Sequence, residues 1–293
     1  MSLWHRLRGE PLLAAALALL LLACSLPPLP MPRRIGSYLV AFDITQSMEA
    51  SDTALDAAPA SRLVFAKAAL EAALLHLPCG SRVGLAVFTD YRVLPVLAPL
   101  EVCAHYDALR SALDAIDGRM RWANASNIGK GIYWAQRGAQ TLEPDLLPVF
   151  VTDGQEAPPL RDGESGAPPT PDGAPLLLVG VGGDQPVPIP RIDAEGRPIG
   201  FWRAEDVVQR SGIGALGSRE ELTRLDDGHL RSFTRRSGTA YVRLRSLQDL
   251  GAALLEARGA TLAWVPTDVR ALPAALALAM LVARALRRTR GRG

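Results

Sequence analysis

A five-residue apolar run that breaks into a carboxylate and two hydroxyls constrains this chain more than any other stretch. It reads Tyr38-Leu-Val-Ala-Phe42, followed by Asp43-Ile-Thr45-Gln-Ser47. The run is too short for a helix and has no polar face, so it predicts a parallel strand buried on both sides. In an open parallel sheet, ligands bind just beyond the carboxyl ends of the strands. Asp43, Thr45 and Ser47 would present three oxygen donors there, which suits a hard cation such as Mg²⁺ or Mn²⁺. The same residue types also make turns and cap helices, so the triplet by itself leaves both readings open.

Two later segments extend the pattern. Pro148-Val-Phe-Val-Thr-Asp153 is a second apolar run closed by a carboxylate, and Ser126 offers a hydroxyl where Ala125-Ser-Asn-Ile128 enters a helix. Together these residues resemble the von Willebrand factor A (VWA) domain and its metal-ion-dependent adhesion site. That site has the pattern Asp-x-Ser-x-Ser, then a loop Thr, then an Asp after a later strand. Here it reads Asp43-x-Thr45-x-Ser47, Ser126, Asp153, with hydroxyl-for-hydroxyl exchanges at Thr45 and Ser126.

The resemblance covers roughly residues 36–260. It implies a doubly wound, mostly parallel α/β sheet of VWA/Rossmann-like type with one antiparallel edge strand. It also implies Mg²⁺ (or Mn²⁺ or Ca²⁺) held by Asp43, Thr45, Ser47, Ser126 and Asp153. One metal position would stay open for an acidic residue of a protein partner. Phe42 to Met48, Leu77 to Gly84 and Glu101 to Cys103 further resemble the membrane-anchored VWA proteins encoded with bacterial methanol-oxidation systems (the MxaL type). The broader relatives are aerotolerance-type proteins that work beside MoxR-type AAA+ ATPases. This implies other VWA proteins and such an ATPase as partners, and an accessory role in maturing a periplasmic quinoprotein dehydrogenase.

Formal net charge is +2, but seven arginines lie near the ends: Arg6, Arg8, Arg284, Arg287, Arg288, Arg290 and Arg292. The remainder is net acidic, which argues against a nucleic-acid partner. Residues 1–31 read as a signal-anchor or signal peptide, because Pro11 to Leu26 carries no charge. Leu21-Leu-Ala-Cys24 looks like a lipoprotein cleavage box, and the alternative is Cys24 as an apolar residue of an uncleaved anchor. Pro27, Pro28, Pro30 and Pro32 predict a stiff extended linker. Residues 32–260 form the domain, with insertions near 156–174 and 191–219 that break the minimal alternation of strands and helices. Residues 261–293 read as a transmembrane segment and basic tail. Its apolar part, Ala271 to Ala283, spans only about 20 Å as a helix, short of a hydrocarbon core of about 30 Å. The expected topology places both ends inside a bacterial inner membrane, with the domain in the periplasm.

Within the domain, Ser61 caps a helix to about Leu77. Leu63, Ala66, Leu70, Leu74 and Leu77 face inward on it, with Arg62, Lys67 and Glu71 opposite. Arg82 to Phe88 and Arg92 to Leu97 predict a hairpin, with Pro95 tolerable only at a sheet edge. Folding that hairpin brings Cys79 near Cys103, so a disulfide is expected, in keeping with an exported protein; the alternative is two separate buried thiols. Helices are predicted over Tyr106 to Ile116, Asn127 to about Gln140, Glu220 to Ser237 and Ser246 to about Arg258. Strands are predicted over Pro175 to Val181 and Ala240 to Leu244. His105 and His229 read as surface or capping residues, and no base or nucleophile accompanies the site, so no enzyme is expected. The alternatives are a phosphatase-like hydrolase using Asp43, or a scaffold without metal.

Overall fold

The computed structural model describes residues 10–160, 174–193, 195–209, 219–237 and 239–290. The chain divides into two units, residues 34–262 and a smaller one made of both ends.

The larger unit is built on six strands: β1 (Ser37–Asp43), β2 (Arg82–Thr89), β3 (Arg92–Glu101), β4 (Leu147–Thr152), β5 (Leu177–Gly180) and β6 (Ala240–Arg243). Their order is β3-β2-β1-β4-β5-β6. All neighbours are parallel except β2 and β3, which form the antiparallel hairpin at one edge. This order reverses direction between β1 and β4, which makes that gap the topological switch point of a doubly wound sheet.

Helices α1 (Arg62–His76), α2 (Tyr106–Ala115), α3 (Ile128–Leu142), α4 (Asp227–Ser237) and α5 (Gln248–Glu256) complete the unit. Because strand side chains alternate, β1 feeds both faces. Tyr38, Val40 and Phe42 enter one core with Leu70 of α1, Leu109 of α2 and Leu250 of α5. Leu39 and Ala41 enter the other with Ile132 of α3, Leu230 of α4 and the Phe88–Phe150 pair. Gly131 lets α3 approach that pair, since a Cβ there would lie 2.6 Å from Phe88.

Several expectations need adjustment. The predicted helix from Glu220 begins only at Asp227, because Leu222–Thr223 is drawn into a strand with Val187–Pro188. The last helix of the unit is capped by Asp249 rather than Ser246: its carboxylate accepts from the backbone of Arg245 and Ser246. Asn127 caps α3 and Ser61 caps α1. Arg62, assigned above to the solvent side, is fully buried. Much of the 156–174 insertion and the stretch 210–218 of the other lie outside the described residues.

Cys79 and Cys103 are disulfide-bonded with Cα atoms 5.3 Å apart, tying the start of β2 to the loop after β3. The sequence separation is 24 residues, and closing a loop of that size stabilises by about 3 kcal/mol. Reduction without denaturant is expected to lower the denaturant midpoint accordingly. An unchanged midpoint would show that the crosslink contributes nothing.

In the smaller unit, helices Pro11–Ser25 and Ala271–Arg290 run antiparallel: Arg284 pairs with Glu10 at 2.7 Å, and Arg270 donates to the Leu26 carbonyl. The proline-rich segment is not a free linker, since Leu29–Ile35 pairs with Thr261–Thr267 as a two-stranded sheet. The expected flanking membrane segments find no support here: among the described residues, no helix is long and apolar enough to cross a membrane.

Candidate metal centre

Asp43, Thr45, Ser47 and Asp153 lie together at the carboxyl rim of the sheet, at the switch point, and Ser126 shares a cavity with Thr45 and Ser47. Phe42 and Val151 are register partners of the adjacent strands β1 and β4, so Asp43 and Asp153 leave the sheet side by side. Both are completely buried. Asp43 Oδ1 accepts from the Thr45 amide at 2.9 Å and the Thr45 hydroxyl at 2.7 Å, while Oδ2 accepts from the Thr152 hydroxyl at 2.7 Å. Thr45 Oγ1 lies 3.2 Å from Ser47 Oγ. The first turn after β1 is thus folded around the carboxylate, which places the two hydroxyls on the same side.

Burial, reinforced by the charge of Asp153, pushes the Asp43 carboxyl up to about 7; hydrogen bonds from Thr45 and Thr152 only partly offset this. Two carboxyl groups packed together away from water need a cation, a proton or an arginine.

Ser126 arrives from a third direction. Its backbone exchanges two 2.8 Å hydrogen bonds with Ala157, and the flanking residues Ala125 and Asn127 bond to Asp90 at the β2–β3 turn. The Ser126 hydroxyl is buried yet has no hydrogen-bond partner among the described residues. An orphaned buried hydroxyl costs about 1–3 kcal/mol unless something meets it. Thr45, Ser47 and Ser126 line one cavity of about 380 Å³, whose outer wall includes Pro158, Ile189, Trp202 and Val208. Hydroxyls and carboxylates are the donors a hard divalent ion prefers, and Ser126 brings an unused hydroxyl to the edge of the same cavity. The residues present therefore fit such an ion.

Four neighbours of the site were not singled out from the sequence. Arg62 Nη1 donates to Asp153 Oδ2 at 2.6 Å and to the Thr223 hydroxyl at 2.7 Å. Its other nitrogens clasp both oxygens of Asp52 at 2.8 and 2.6 Å. Thr152, already named, orients Asp43. Glu156 lines the cavity, accepting from the Ile128 amide at the start of α3 and pairing with His229 Nε2 at 3.0 Å. That pairing differs from the surface or capping role assigned to His229. Lastly, Trp202 donates from its indole nitrogen to the Gln46 side chain, so the 191–219 insertion grips the Thr45–Ser47 turn directly.

A separate cluster of Cys79, Glu101 and Cys103 has metal-like spacing. Its sulfurs are bonded to each other, and Glu101 instead closes turns by accepting from the Gly80 and Ala104 amides.

No family model and no curated protein matches the chain. Among solved structures, an aerotolerance-related membrane protein from Bacteroides fragilis is 20% identical, with 75% of this chain and 96% of that one covered at a TM-score of 0.49. The ArnB paralog VWA2 from Sulfolobus acidocaldarius is 12% identical, covering 76% and 45% at 0.41. A von Willebrand factor type A protein from Catenulispora acidiphila is 13% identical, covering 86% and 51% at 0.38. Two of the three carry the von Willebrand A name.

Proposed function

We propose that this chain is a VWA-type module that binds a protein partner through a divalent metal ion. The observation that carries the reading is the convergence of a buried, unpartnered Ser126 hydroxyl with the Thr45–Ser47 hydroxyls and two buried carboxylates at the switch point. Thr45, Ser47 and Ser126 would offer lone pairs to the ion. Thr45 spends only its proton on Asp43, so its oxygen remains a competent ligand. Asp43 and Asp153 would supply carboxylate oxygens, directly or through water. A bound ion of this kind contributes positive charge and an open position for a carboxylate from outside. The cavity's apolar wall, with Pro158, Ile189 and Val208, shields that position from competing water.

The role is binding rather than turnover. Three acids line the cavity, Glu156, Asp206 and Glu220; Glu156, beside Ser126, is occupied by the α3 amide and His229, and Asp206 accepts from the Arg203 amide. The partner is a protein that presents an acidic side chain. By the family resemblance, a MoxR-type AAA+ ATPase, other VWA proteins and a periplasmic dehydrogenase under assembly are the partners to test first. Membrane attachment belongs to this proposal too: Leu17, Leu21, Leu272, Leu276 and Leu278 of the terminal helices are exposed and would meet lipid.

Affinity capture from solubilised membranes tests the reading. Partner retention is expected in Mg²⁺ and loss in chelator, with Asp43→Ala behaving as the chelated parent does. Equal retention in all three would refute metal-dependent binding.

A further inference from the structure

Resting on the metal-binding reading above, we propose that Arg62 is a positioning residue that keeps Asp153 from acting as a full ligand. It would thereby leave the ion enough positive charge to capture an external carboxylate.

The geometry is unusual for a helix start. Arg62 is the first residue of α1, where long basic side chains normally reach solvent, yet its side chain is completely buried. It runs under the metal turn and bonds to segments far apart in sequence: the Ser47 carbonyl at 3.4 Å, Asp52, Asp153 and Thr223. Asp52 is itself fixed by the Gly183 amide at 2.8 Å. Gly182, at φ +128, makes room: a Cβ there would sit 2.7 Å from Arg62 Nε. No side chain other than hydrogen fits that approach, so the path of the guanidinium is built into the fold.

Counting acceptors on Asp153 shows what this does. Oδ2 takes the 2.6 Å bond from Arg62 and faces the Thr223 hydroxyl at 3.4 Å; Oδ1 accepts from the Gln155 amide at 3.0 Å. Only Oδ1 retains a lone pair for anything else. Bidentate ligation is blocked, and a charge-assisted bond neutralises the carboxylate where it leaves β4. Among the described residues the second carboxyl of the site, Asp43, accepts only from hydroxyls and an amide; Arg121, which donates to the adjacent Ile44 carbonyl at 2.9 Å, acts on it through space and takes up neither of its oxygens. The two acids of the site are thus differentiated. Asp43 carries the charge that answers a cation, and Asp153 is held in reserve by an internal one. Arg62 does a second job at the same time, because in the absence of metal it is the counter-ion that lets Asp52 and Asp153 stay buried.

The test uses Mn²⁺ alone as probe, with affinity from electron paramagnetic resonance titration and bound exchangeable waters from water-proton relaxation. In Arg62→Met, Asp153 is released toward the ion. Mn²⁺ is expected to bind at least about 10-fold tighter with fewer exchangeable waters, and the gain should vanish when Asp153→Asn is added. The thermal midpoint without metal should fall and recover on Mn²⁺ addition. A purely structural arginine would lower Mn²⁺ affinity or leave it unchanged, and would not couple to Asp153; either result overturns the proposal. Should Arg62→Met not fold, two other proteins decide. Arg62→Lys cannot span Asp52 and Asp153 together and should bind Mn²⁺ several-fold tighter. Asp153→Asn in the parent, where the carboxylate is already neutralised, should weaken Mn²⁺ less than 10-fold and leave the water number unchanged. A parent that binds no Mn²⁺ removes the metal reading itself, whereas a parent that binds while Arg62→Lys matches it and Asp153→Asn abolishes binding removes only the role of Arg62.

Discussion

Replacing Asp43 with alanine is expected to weaken Mg²⁺ or Mn²⁺ binding at least about 100-fold while the domain stays folded. The buried carboxylate is the acceptor around which the Thr45 amide, the Thr45 hydroxyl and the Thr152 hydroxyl are arranged. Without it the turn loses its organising anion and the ion loses its chief counter-charge. The cost to folding is limited by two opposing effects. Two hydroxyls lose an acceptor, at about 1–3 kcal/mol each when no substitute is found. Against this, the penalty of burying Asp43 beside Asp153 disappears. Calorimetry separates the outcomes: a vanishing heat of Mn²⁺ binding with an unchanged unfolding enthalpy is expected. Equal heats for mutant and parent would contradict the role given to Asp43.

The second large effect is a pH dependence that reverses with metal. The Asp43 carboxyl rises from an ordinary value of 3.8 to about 7 in the folded protein. The folded state therefore binds this proton more tightly than the unfolded chain does. Its contribution to stability is fully present below the ordinary value and is lost as pH rises toward 7. A shift of that size corresponds to a few kcal/mol, on the order of 4. Asp52 and Asp249 act oppositely. Burial pushes both up, but Arg62 beside Asp52, and the Arg245 and Ser246 amides on Asp249, hold them below the usual carboxylate range. Their stabilisation is lost only as pH falls into the acid range, so the loss across pH 5 to 7.5 comes from carboxyls that burial pushes up: Asp43 and, in the same direction, Glu49. Metal-free protein should lose stability across that window, and saturating Mg²⁺ should stabilise it more at pH 7.5 than at 5, since the ion replaces the proton. Asp43→Asn should lose the metal effect and keep only the part of the metal-free slope that belongs to Glu49. A metal-free stability that rises from pH 5 to 7.5 would contradict the burial of an only partly compensated carboxyl at this position.

Much of this was legible in the sequence, for identifiable reasons. Apolar runs that end in Asp43 and Asp153 mark β1 and β4 because a parallel strand has no polar face, and their abrupt ends mark the rim where a site can form. Ser61 announced its helix by capping chemistry. Arg62 was misplaced because it was sorted by charge alone. Its spacing to Ala66, Leu70 and Ala73 in fact puts it on the buried stripe of α1, and a cation there implies buried acids nearby. Asp52, Thr223 and Glu156 could not be read in the same way, since they come from loops and a two-residue strand whose positions depend on tertiary contacts. The grip of Trp202 on Gln46 belongs to the same class: an aromatic residue in an insertion gives no hint of which turn it will reach. The proline-rich segment misled because proline at alternate positions fits an edge strand as well as a free linker.

Soaking crystals in Mn²⁺ and recording anomalous scattering at the manganese edge tests the central claim most directly. The expected result is a single strong peak at the rim of β1 and β4, bonded to the hydroxyls of Ser47 and Ser126. A protein that takes up Mn²⁺ elsewhere, or leaves the Ser126 hydroxyl without a partner at saturating Mn²⁺, would contradict the account.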